Sequence, residues 1–283
     1  MLLRVDRIQL ATPDRTKVAK CWRNLLGAEL AREDRVKLLG AARSVLRVGT
    51  SEVELLEPDR EGLVAEHLAR RGGVFAAGLA AADLDAVRGQ LDAQGVRTES
   101  EGGQLFASAE ALGIPGLRLV LSQDEEREPQ GLLRHLYEVT HLTADAAGAT
   151  ARLAAVFGLE ASHFAPIESE PYGYAGTLTL FQPDRLDRIE MIHPYQRDKT
   201  MGRFFKKFGP SLYMCYAETD DTGAVRERLL EHAPDEWTGP REGANPDGLF
   251  IHPHALGGVM LGVSRTTFAW SWSGSPERVR AAS

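Results

Sequence analysis

The chain has 283 residues, a length that suits two domains of ordinary size. It carries 40 acidic and 33 basic residues without a basic run, so nucleic acid is not expected as a partner. No apolar run reaches the length that spans a bilayer, and Cys21 and Cys215 form neither a CxxC motif nor a disulfide framework. We therefore expect no membrane association and a cytoplasmic protein that is either an enzyme or a binding protein.

One pattern recurs four times along the chain: a short apolar strand ends in an aspartate, and an amphipathic helix follows. In the first copy, Asp14 stands thirteen residues before Gly27, and in the third copy Asp145 stands thirteen residues before Gly158. An aspartate at this point accepts hydrogen bonds from the free N–H groups of the first helical turn. The four expected caps are Asp14, Asp83, Asp145 and Asp221.

Apolar strands follow each predicted helix. They include SEVELLEPD at residues 51–59, GLRLVLS at 116–122, DRIEMIHPY at 187–195 and GGVMLGVS at 257–264. Between the halves, the charged stretch SQDEEREPQG at 122–131 is typical of a linker. A single unit would bury too little apolar surface to be stable alone. The pattern therefore predicts an α+β fold of four β-α-β-β-β modules, paired into two cupped mixed sheets flanked by helices. The predicted domains are 1–124 and 131–266, followed by a tail at 267–283.

This plan resembles the vicinal oxygen chelate superfamily, which includes glyoxalase I, methylmalonyl-CoA epimerase, extradiol dioxygenases and bleomycin-resistance proteins. The resemblance rests on VELLEPD at residues 53–59, on LFIHPHALGGVMLGV at 249–263, and on the order of the four units between residues 3 and 266. It implies that each pair of modules forms an eight-stranded cup in which a small molecule binds. In metal-using members, four side chains of one cup bind the metal.

The resemblance assigns the four ligand positions of the N-terminal half to Arg7, Glu54, Ala76 and Val120. Only Glu54 among them is able to bind a metal. An arginine opposite a glutamate indicates an ion pair in place of a metal ion. We expect Arg7 and Glu54 either to form a buried structural bridge or to bind a polar group of a ligand.

In the C-terminal half, the same positions hold Glu138, Glu190, Met214 and Gly262. Without histidine they make a poor site for Fe²⁺, Zn²⁺ or Mn²⁺, which favour mixed nitrogen and oxygen ligands. No metal and no other cofactor is therefore expected, although a carboxylate-rich site still suits weak binding of a divalent ion. A different register of the third unit would put His141 in place of Glu138; the unbroken Asp-to-Gly spacing favours Glu138.

Two carboxylates in a partly apolar cup repel each other, so the pKa of Glu138 or Glu190 should rise. Such a group is a general acid or base near neutral pH. Tyr216 shares a strand face with Met214 and is placed to stabilise a developing oxyanion. The alternative is that one glutamate is solvated at the rim and that the other pairs with Arg134 or Arg188.

Other residues are expected to contact the ligand rather than to react with it. They are Thr140, Met214, Tyr213 if its strand is bulged, and Tyr172 and Tyr174 of a predicted lid at 171–176. His252 and His254 are assigned to a turn. Trp270 and Trp272 cover either the partner in a homodimer or the outer sheet.

Three functions are compatible with these residues. The carboxylate pair favours proton transfer on a small molecule by an isomerase, epimerase, lyase or cyclase. The missing histidines are typical of non-catalytic binding proteins that sequester small molecules. A metal-dependent dioxygenase would need His141 and an atypical set of partners.

Overall fold

The structure is a computed structural model, and it describes residues 1–242 and 245–281. Residues 243, 244, 282 and 283, the last two of which end the predicted tail, lie outside the described residues. Within the described part, no helix has the length and apolar character that a membrane span needs.

The described residues form two eight-stranded sheets, one from each half of the chain. The strands of the first sheet are β1 (Leu2–Ala11), β2 (Glu29–Val36), β3 (Ala41–Val48), β4 (Ser51–Pro58), β5 (Gly73–Ala81), β6 (Glu99–Glu101), β7 (Gln104–Ala107) and β8 (Leu119–Gln123). Those of the second sheet are β9 (His135–Leu142), β10 (Ala165–Ser169), β11 (Tyr174–Leu180), β12 (Arg188–Pro194), β13 (Ser211–Thr219), β14 (Trp237–Thr238), β15 (Gly248–Ile251) and β16 (Met260–Arg265).

Both sheets have the same topology. The first runs β2-β3-β4-β1-β5-β8-β7-β6, and the second runs β10-β11-β12-β9-β13-β16-β15-β14. In every module the first strand is parallel to the last strand, and the two modules of a sheet meet through antiparallel first strands. The predicted fold of four modules in two mixed sheets is therefore confirmed. The domain boundaries at 1–124 and 131–266 remain predictions.

The α-helices of the described residues are α1 (Arg15–Leu26), α2 (Leu63–Arg70), α3 (Leu84–Ala93), α4 (Ala109–Leu112), α5 (Ala146–Phe157), α6 (Thr200–Phe208) and α7 (Thr222–His232). The aspartate pattern predicts four of these, namely α1, α3, α5 and α7. Each predicted cap accepts from the backbone N–H three residues further on: Asp14 from Lys17, Asp83 from Ala86, Asp145 from Gly148 and Asp221 from Ala224. Gly27 and Gly158 end α1 and α5 in the left-handed conformation, with φ of 70° and 64°.

One apolar core extends across both halves and packs the helices against the outer faces of the sheets. Trp22 of α1 is fully buried in it, and its indole N–H donates to the backbone oxygen of Leu256 in the second half at 3.3 Å. Hydrophobic burial of this kind, at about 25 cal/mol per Å² of apolar surface, is the main force holding the halves together. The opposite faces of the two sheets are left free for the two cups.

Candidate active site

Two rows of side chains cross the face of the second sheet that we call the C-terminal cup. One row places Glu190 beside Thr140, Thr140 beside Met214, and Met214 beside Met260 on four neighbouring strands. The other row places Arg188 beside Glu138, Glu138 beside Tyr216, and Tyr216 beside Gly262. Because strand residues two apart share a face, all of these side chains lie on the same side of the sheet.

Glu138 has a buried arginine as its counter-ion. The Nε of Arg188 donates to Oε2 of Glu138 at 2.7 Å, and both side chains are buried. The guanidinium also lies over the ring of Tyr137, 5.0 Å from its centroid. Arg188, not Arg134, is the partner, since Arg134 pairs at the surface with Asp220. The sequence signal is that Arg188 precedes Glu190 by two residues on one strand and therefore shares its face.

Glu190 is buried, and no cation of the described residues forms an ion pair with it. Its carboxyl oxygen Oε2 lies 2.6 Å from the hydroxyl of Thr140, which also lies 3.3 Å from Oε1 of Glu138. Burial, and then repulsion by Glu138, raise the pKa of Glu190 to about 8. Burial also raises the pKa of Glu138, although Arg188 opposes that rise. With a pKa of about 8, the carboxyl of Glu190 holds a proton at neutral pH.

A cavity of about 780 Å³ opens over the part of these two rows that holds Met214, Tyr216 and Met260. Most of its lining side chains are apolar or have both an apolar and a polar part. They come mainly from α6, from β13 and its neighbouring strands, and from the turn after β15. Fourteen residues line it: Tyr172, Tyr174, Thr200, Met201, Tyr213, Met214, Tyr216, Glu236, Thr238, Phe250, His252, Pro253, His254 and Met260. This size suits a small organic molecule. Glu190 and Thr140 are not in the lining, but share a row of the sheet with Met214 and Met260.

Four tyrosines supply most of the hydroxyl groups of the cavity. Tyr213 and Tyr216 both line it because β13 is irregular between Leu212 and Met214, a bulge that turns Tyr213 toward the cup. Tyr216 lies flat over Gly262, where an added Cβ would come within 2.2 Å of its ring. Burial, and then the charge of Glu138, raise the pKa of Tyr216 well above its usual value, so its hydroxyl stays protonated.

The predicted lid is the turn of the β10–β11 hairpin, and its Tyr172 and Tyr174 line the cavity opposite β13. The C-terminal segment packs beside Tyr216, behind the cavity lining. Trp270 is buried there, and the ring of Trp272 lies 6.3 Å from the ring of Tyr216. Both tryptophans thus pack on the inside of the second sheet in this structure, and not on its outer side.

The histidines of the second half take several positions. The Nε2 of His141 lies 2.9 Å from the backbone oxygen of Pro115, on the face of β9 away from Glu138 and Thr140. His193 contacts the backbone oxygen of Thr143 at 3.1 Å. The turn assigned to His252 and His254 is present as the 3₁₀ segment Pro253–Leu256 and its cap.

Sequence reasoning missed that this turn forms one wall of the cavity. His252 Nε2 lies 2.7 Å from the hydroxyl of Thr238, and His254 lies 3.8 Å from Glu236. Thr238 and Glu236 come from the segment around β14, which has no recognisable motif. Only the β-hairpin pairing of β14 with β15 brings them to the cup.

The donor set of the C-terminal cup does not fit a transition metal. One oxygen of Glu138 is held by Arg188, and the imidazole of His141 lies on the other face of the sheet. Within the described part of the chain, no group of three or more His, Cys, Asp or Glu side chains is arranged to hold a metal ion.

The N-terminal cup, the corresponding face of the first sheet, contains the predicted pair of Arg7 and Glu54. Nη1 of Arg7 lies 2.7 Å from Oε1 of Glu54 and 2.8 Å from Oε2 of Glu52. Glu54 also accepts hydrogen bonds from Gln9, Arg43 and Gln104. Burial alone would raise the pKa of Glu54, but the charges of Arg7 and Arg43 lower that pKa to about 2. The charges of this cup are therefore satisfied by protein side chains.

Comparison with known proteins agrees with this architecture. Residues 6–109 match the family model of the glyoxalase/bleomycin resistance protein/dioxygenase superfamily. Over that part of the chain, the match agrees with the predicted resemblance to the vicinal oxygen chelate superfamily. No curated protein sequence matches the chain.

A solved structure that covers most of this chain has a similar fold. A mutant of 4-hydroxymandelate synthase from Streptomyces coelicolor is similar over 93% of this chain and 93% of its own, with a TM-score of 0.65 and 14% identity. Methylmalonyl-CoA epimerases from Streptomyces coelicolor and Mycobacterium tuberculosis match at 24% and 22% identity over 44% of this chain and 100% and 89% of theirs. Their TM-scores are both 0.39.

Proposed function

We propose that the C-terminal cup binds a small, largely apolar organic molecule and catalyses proton transfer on it, with Glu190 as the general acid and base. The observation that carries the proposal is the buried carboxyl of Glu190, which shares a row of the sheet with Met214 and Met260 of the cavity lining and has no ion-pair partner among the described residues. Burial and the charge of Glu138 raise its pKa to about 8. A carboxyl tuned in this way exchanges protons efficiently near neutral pH. The reaction class is that of an isomerase, epimerase, lyase or cyclase.

The number of donors and acceptors around Thr140 supports a hydrogen-bonded chain from Glu190 through Thr140 to Glu138. A threonine hydroxyl has one hydrogen to donate, yet Thr140 lies within hydrogen-bond distance of both Glu190 and Glu138. If Glu190 holds the proton, Glu190 donates to Thr140, and Thr140 donates to the Glu138 carboxylate that Arg188 already holds. Every member is then satisfied. Loss of the proton from Glu190 leaves two nearby carboxylates, which favours its return.

The surroundings suit the rest of such a reaction. Tyr216, Tyr174 and Tyr213 are neutral phenols in or beside the cavity, and each is able to donate to a substrate oxygen as negative charge develops there. Met214 and Met260 supply adaptable apolar contacts with the body of the substrate. Tyr172, Arg7 and Glu54 are not assigned to the chemical step, and the last two belong to the other cup.

The test is solvent hydrogen exchange, which detects proton transfer whether or not a new compound is formed. The protein is incubated in D₂O with a panel of small carbonyl compounds, and deuterium uptake next to the carbonyl is followed by mass spectrometry. For any compound that exchanges, Glu190→Gln should lower the rate by about 10²–10⁴-fold with folding intact. Glu168→Gln, an exposed carboxylate on β10, is the matched control and should leave the rate unchanged.

A non-catalytic binding protein is the second candidate, because methionines and tyrosines that adapt to many ligands dominate the cavity lining. In that case compounds would bind, Glu190→Gln would change only their affinity, and no deuterium would be incorporated. An exchange rate that is unchanged in Glu190→Gln would overturn the proposed role of this residue.

A further inference from the structure

A second cavity, of about 260 Å³, lies between the two halves of the chain, next to the last residue of α6, Phe208. We infer that this cleft is a binding site for a small oxyanion of the phosphate class. Its polar lining includes Arg70 and His67 of α2, Arg71, and Arg118, while Pro210 and Ser211 close it from the other half. Nothing in the proposed proton transfer uses these residues.

Among the described residues, Arg70, Arg71 and Arg118 form no ion pair within 4.0 Å. Burial, and then repulsion by Arg118 and Arg70, lower the pKa of Arg71 to about 10. Glu66 and Glu110 also line the cleft with exposed side chains, and their charges act on Arg118. Three arginines against two carboxylates leave a net positive charge in a partly buried cleft, which is the electrostatic condition that attracts a small anion.

Two of the arginines are held in place by contacts other than ion pairs. Nη2 of Arg71 donates to the backbone oxygens of Val74 at 3.2 Å and Leu212 at 3.1 Å. The guanidinium of Arg118 lies over the ring of Phe75, 4.8 Å from its centroid. Both head groups are therefore oriented before any ligand arrives, which reduces the entropy that binding costs. The remaining N–H groups of each fork are suited to tetrahedral oxyanions.

His67 helps to position Arg118 in the cleft. Its side chain is 8% exposed, and its Nδ1 lies 3.4 Å from Nη1 of Arg118. Because arginine is only a donor, Nδ1 accepts that hydrogen bond and the imidazole is neutral. Burial, and then the charges of Arg71 and Arg118, lower the pKa of His67 to about 3, which agrees with a neutral ring.

The experiment titrates the full-length protein with inorganic phosphate at constant ionic strength and follows both calorimetric heat and the thermal midpoint. Wild-type protein should show saturable binding, whereas sodium chloride at the same ionic strength should show none. Arg118→Gln and Arg70→Gln should each weaken phosphate binding about tenfold or more, since each removes a charge-assisted hydrogen bond. Arg88→Gln, on the exposed face of α3, should bind as wild type.

Sulfate that binds like phosphate would support recognition of the oxyanion as such. Binding that chloride reproduces, or that neither arginine substitution weakens, would overturn the inference. Arg70 is exposed, so Arg70→Gln keeps the test decisive even if Arg118→Gln does not fold. Phosphate binding and the proposed proton transfer in the C-terminal cup are tested separately, because deuterium exchange by Glu190 requires neither phosphate nor these arginines.

Discussion

The two cups use the same sheet positions with the charges reversed. In the N-terminal cup, Arg7 on the first strand faces Glu52 on the last strand of its module. In the C-terminal cup, Glu138 takes the place of Arg7, and Arg188 takes the place of Glu52. An ion pair spans the same two strands in both halves, but its polarity is inverted.

This inversion decides the state of the next carboxylate along the strand. Glu54 and Glu190 both lie two residues further on, and both are buried. Glu54 has Arg7 and Arg43 as neighbours and a pKa of about 2, whereas Glu190 has Glu138 as a neighbour and a pKa of about 8. Identical backbone geometry therefore yields a permanently ionised structural group in one cup and a proton-holding group in the other.

The largest effect on stability should come from breaking the satisfied cup. Glu54→Gln removes the carboxylate that Arg7 and Arg43 share and leaves two guanidinium groups buried with less compensation. We expect the free energy of unfolding at pH 7 to fall by about 3–5 kcal/mol, as for other broken buried pairs. Urea denaturation measures this, with exposed Glu29→Gln as the control. A loss below about 1 kcal/mol would mean that the network contributes little.

Breaking the inverted pair should cost less. Arg188→Met keeps most of the side-chain volume but leaves Glu138 beside Glu190 without a cation. Because Glu138 is then able to take up a proton, we expect a loss of only about 2–3 kcal/mol at pH 7, decreasing toward pH 5. Chemical denaturation at several pH values measures it. A loss that is equal at pH 5 and pH 8 would contradict the protonation of Glu138.

The pH dependence of stability should have opposite signs for the two equivalent glutamates. Between about pH 4.5 and 8 the folded protein holds a proton on Glu190 that the unfolded chain has released, so this group lowers stability as pH rises. Glu190→Gln should therefore be more stable than wild type by about 1–3 kcal/mol near pH 8.5 and nearly equal to it at pH 5.

For Glu54 the folded pKa is lowered, so its contribution is present above about pH 4.5 and is lost as pH falls toward 2. The difference between wild type and Glu54→Gln should shrink over that acid range. Thermal unfolding of the two variants and of wild type, recorded across pH 3–9, measures the pH dependence of stability in the pH ranges in which Glu190 and Glu54 titrate. Parallel curves for Glu190→Gln and wild type would show that Glu190 does not hold a proton.

The smallest loss of stability should come from removing a helix cap, and it should be equal in the two halves. Asp14→Ala and Asp145→Ala remove equivalent caps, each of which accepts one backbone N–H at 2.8 Å. Each should lower the free energy of unfolding by about 1 kcal/mol. Clearly unequal losses would show that the two halves differ in stability outside their cups as well.

The fold was predictable because its signals are local and repeated. Asp14 and Asp145 cap their helices, and Gly27 and Gly158 end them, as the spacing indicates. The alternation of strand residues also placed Glu138, Glu190 and Tyr216 on one face. What the sequence does not reveal is pairing across strands. Arg188 was only one of two proposed partners for a glutamate, and register alone puts it beside Glu138.

The walls of the cavity were harder to predict than its floor. Tyr213 lines it through a bulge, which no residue in the sequence marks with certainty. Glu236 and Thr238 enter through a two-residue strand, too short to give a periodic signal. The charged cleft between the halves depends on the packing of α2 against the start of β13, which is information about tertiary structure only.

The packing of the C-terminal segment onto Tyr216 bears on how the protein is made. Ribosomes deliver the chain from its N-terminus, and domains fold as they emerge. The first sheet is complete once residue 123 is available, but the second cup needs Trp270 and Trp272, which come after its last strand. Until then the apolar floor around Tyr137 and Leu178 has no cover. While the last residues of the chain are still to be made, the second cup stays open, and its exposed apolar floor favours aggregation.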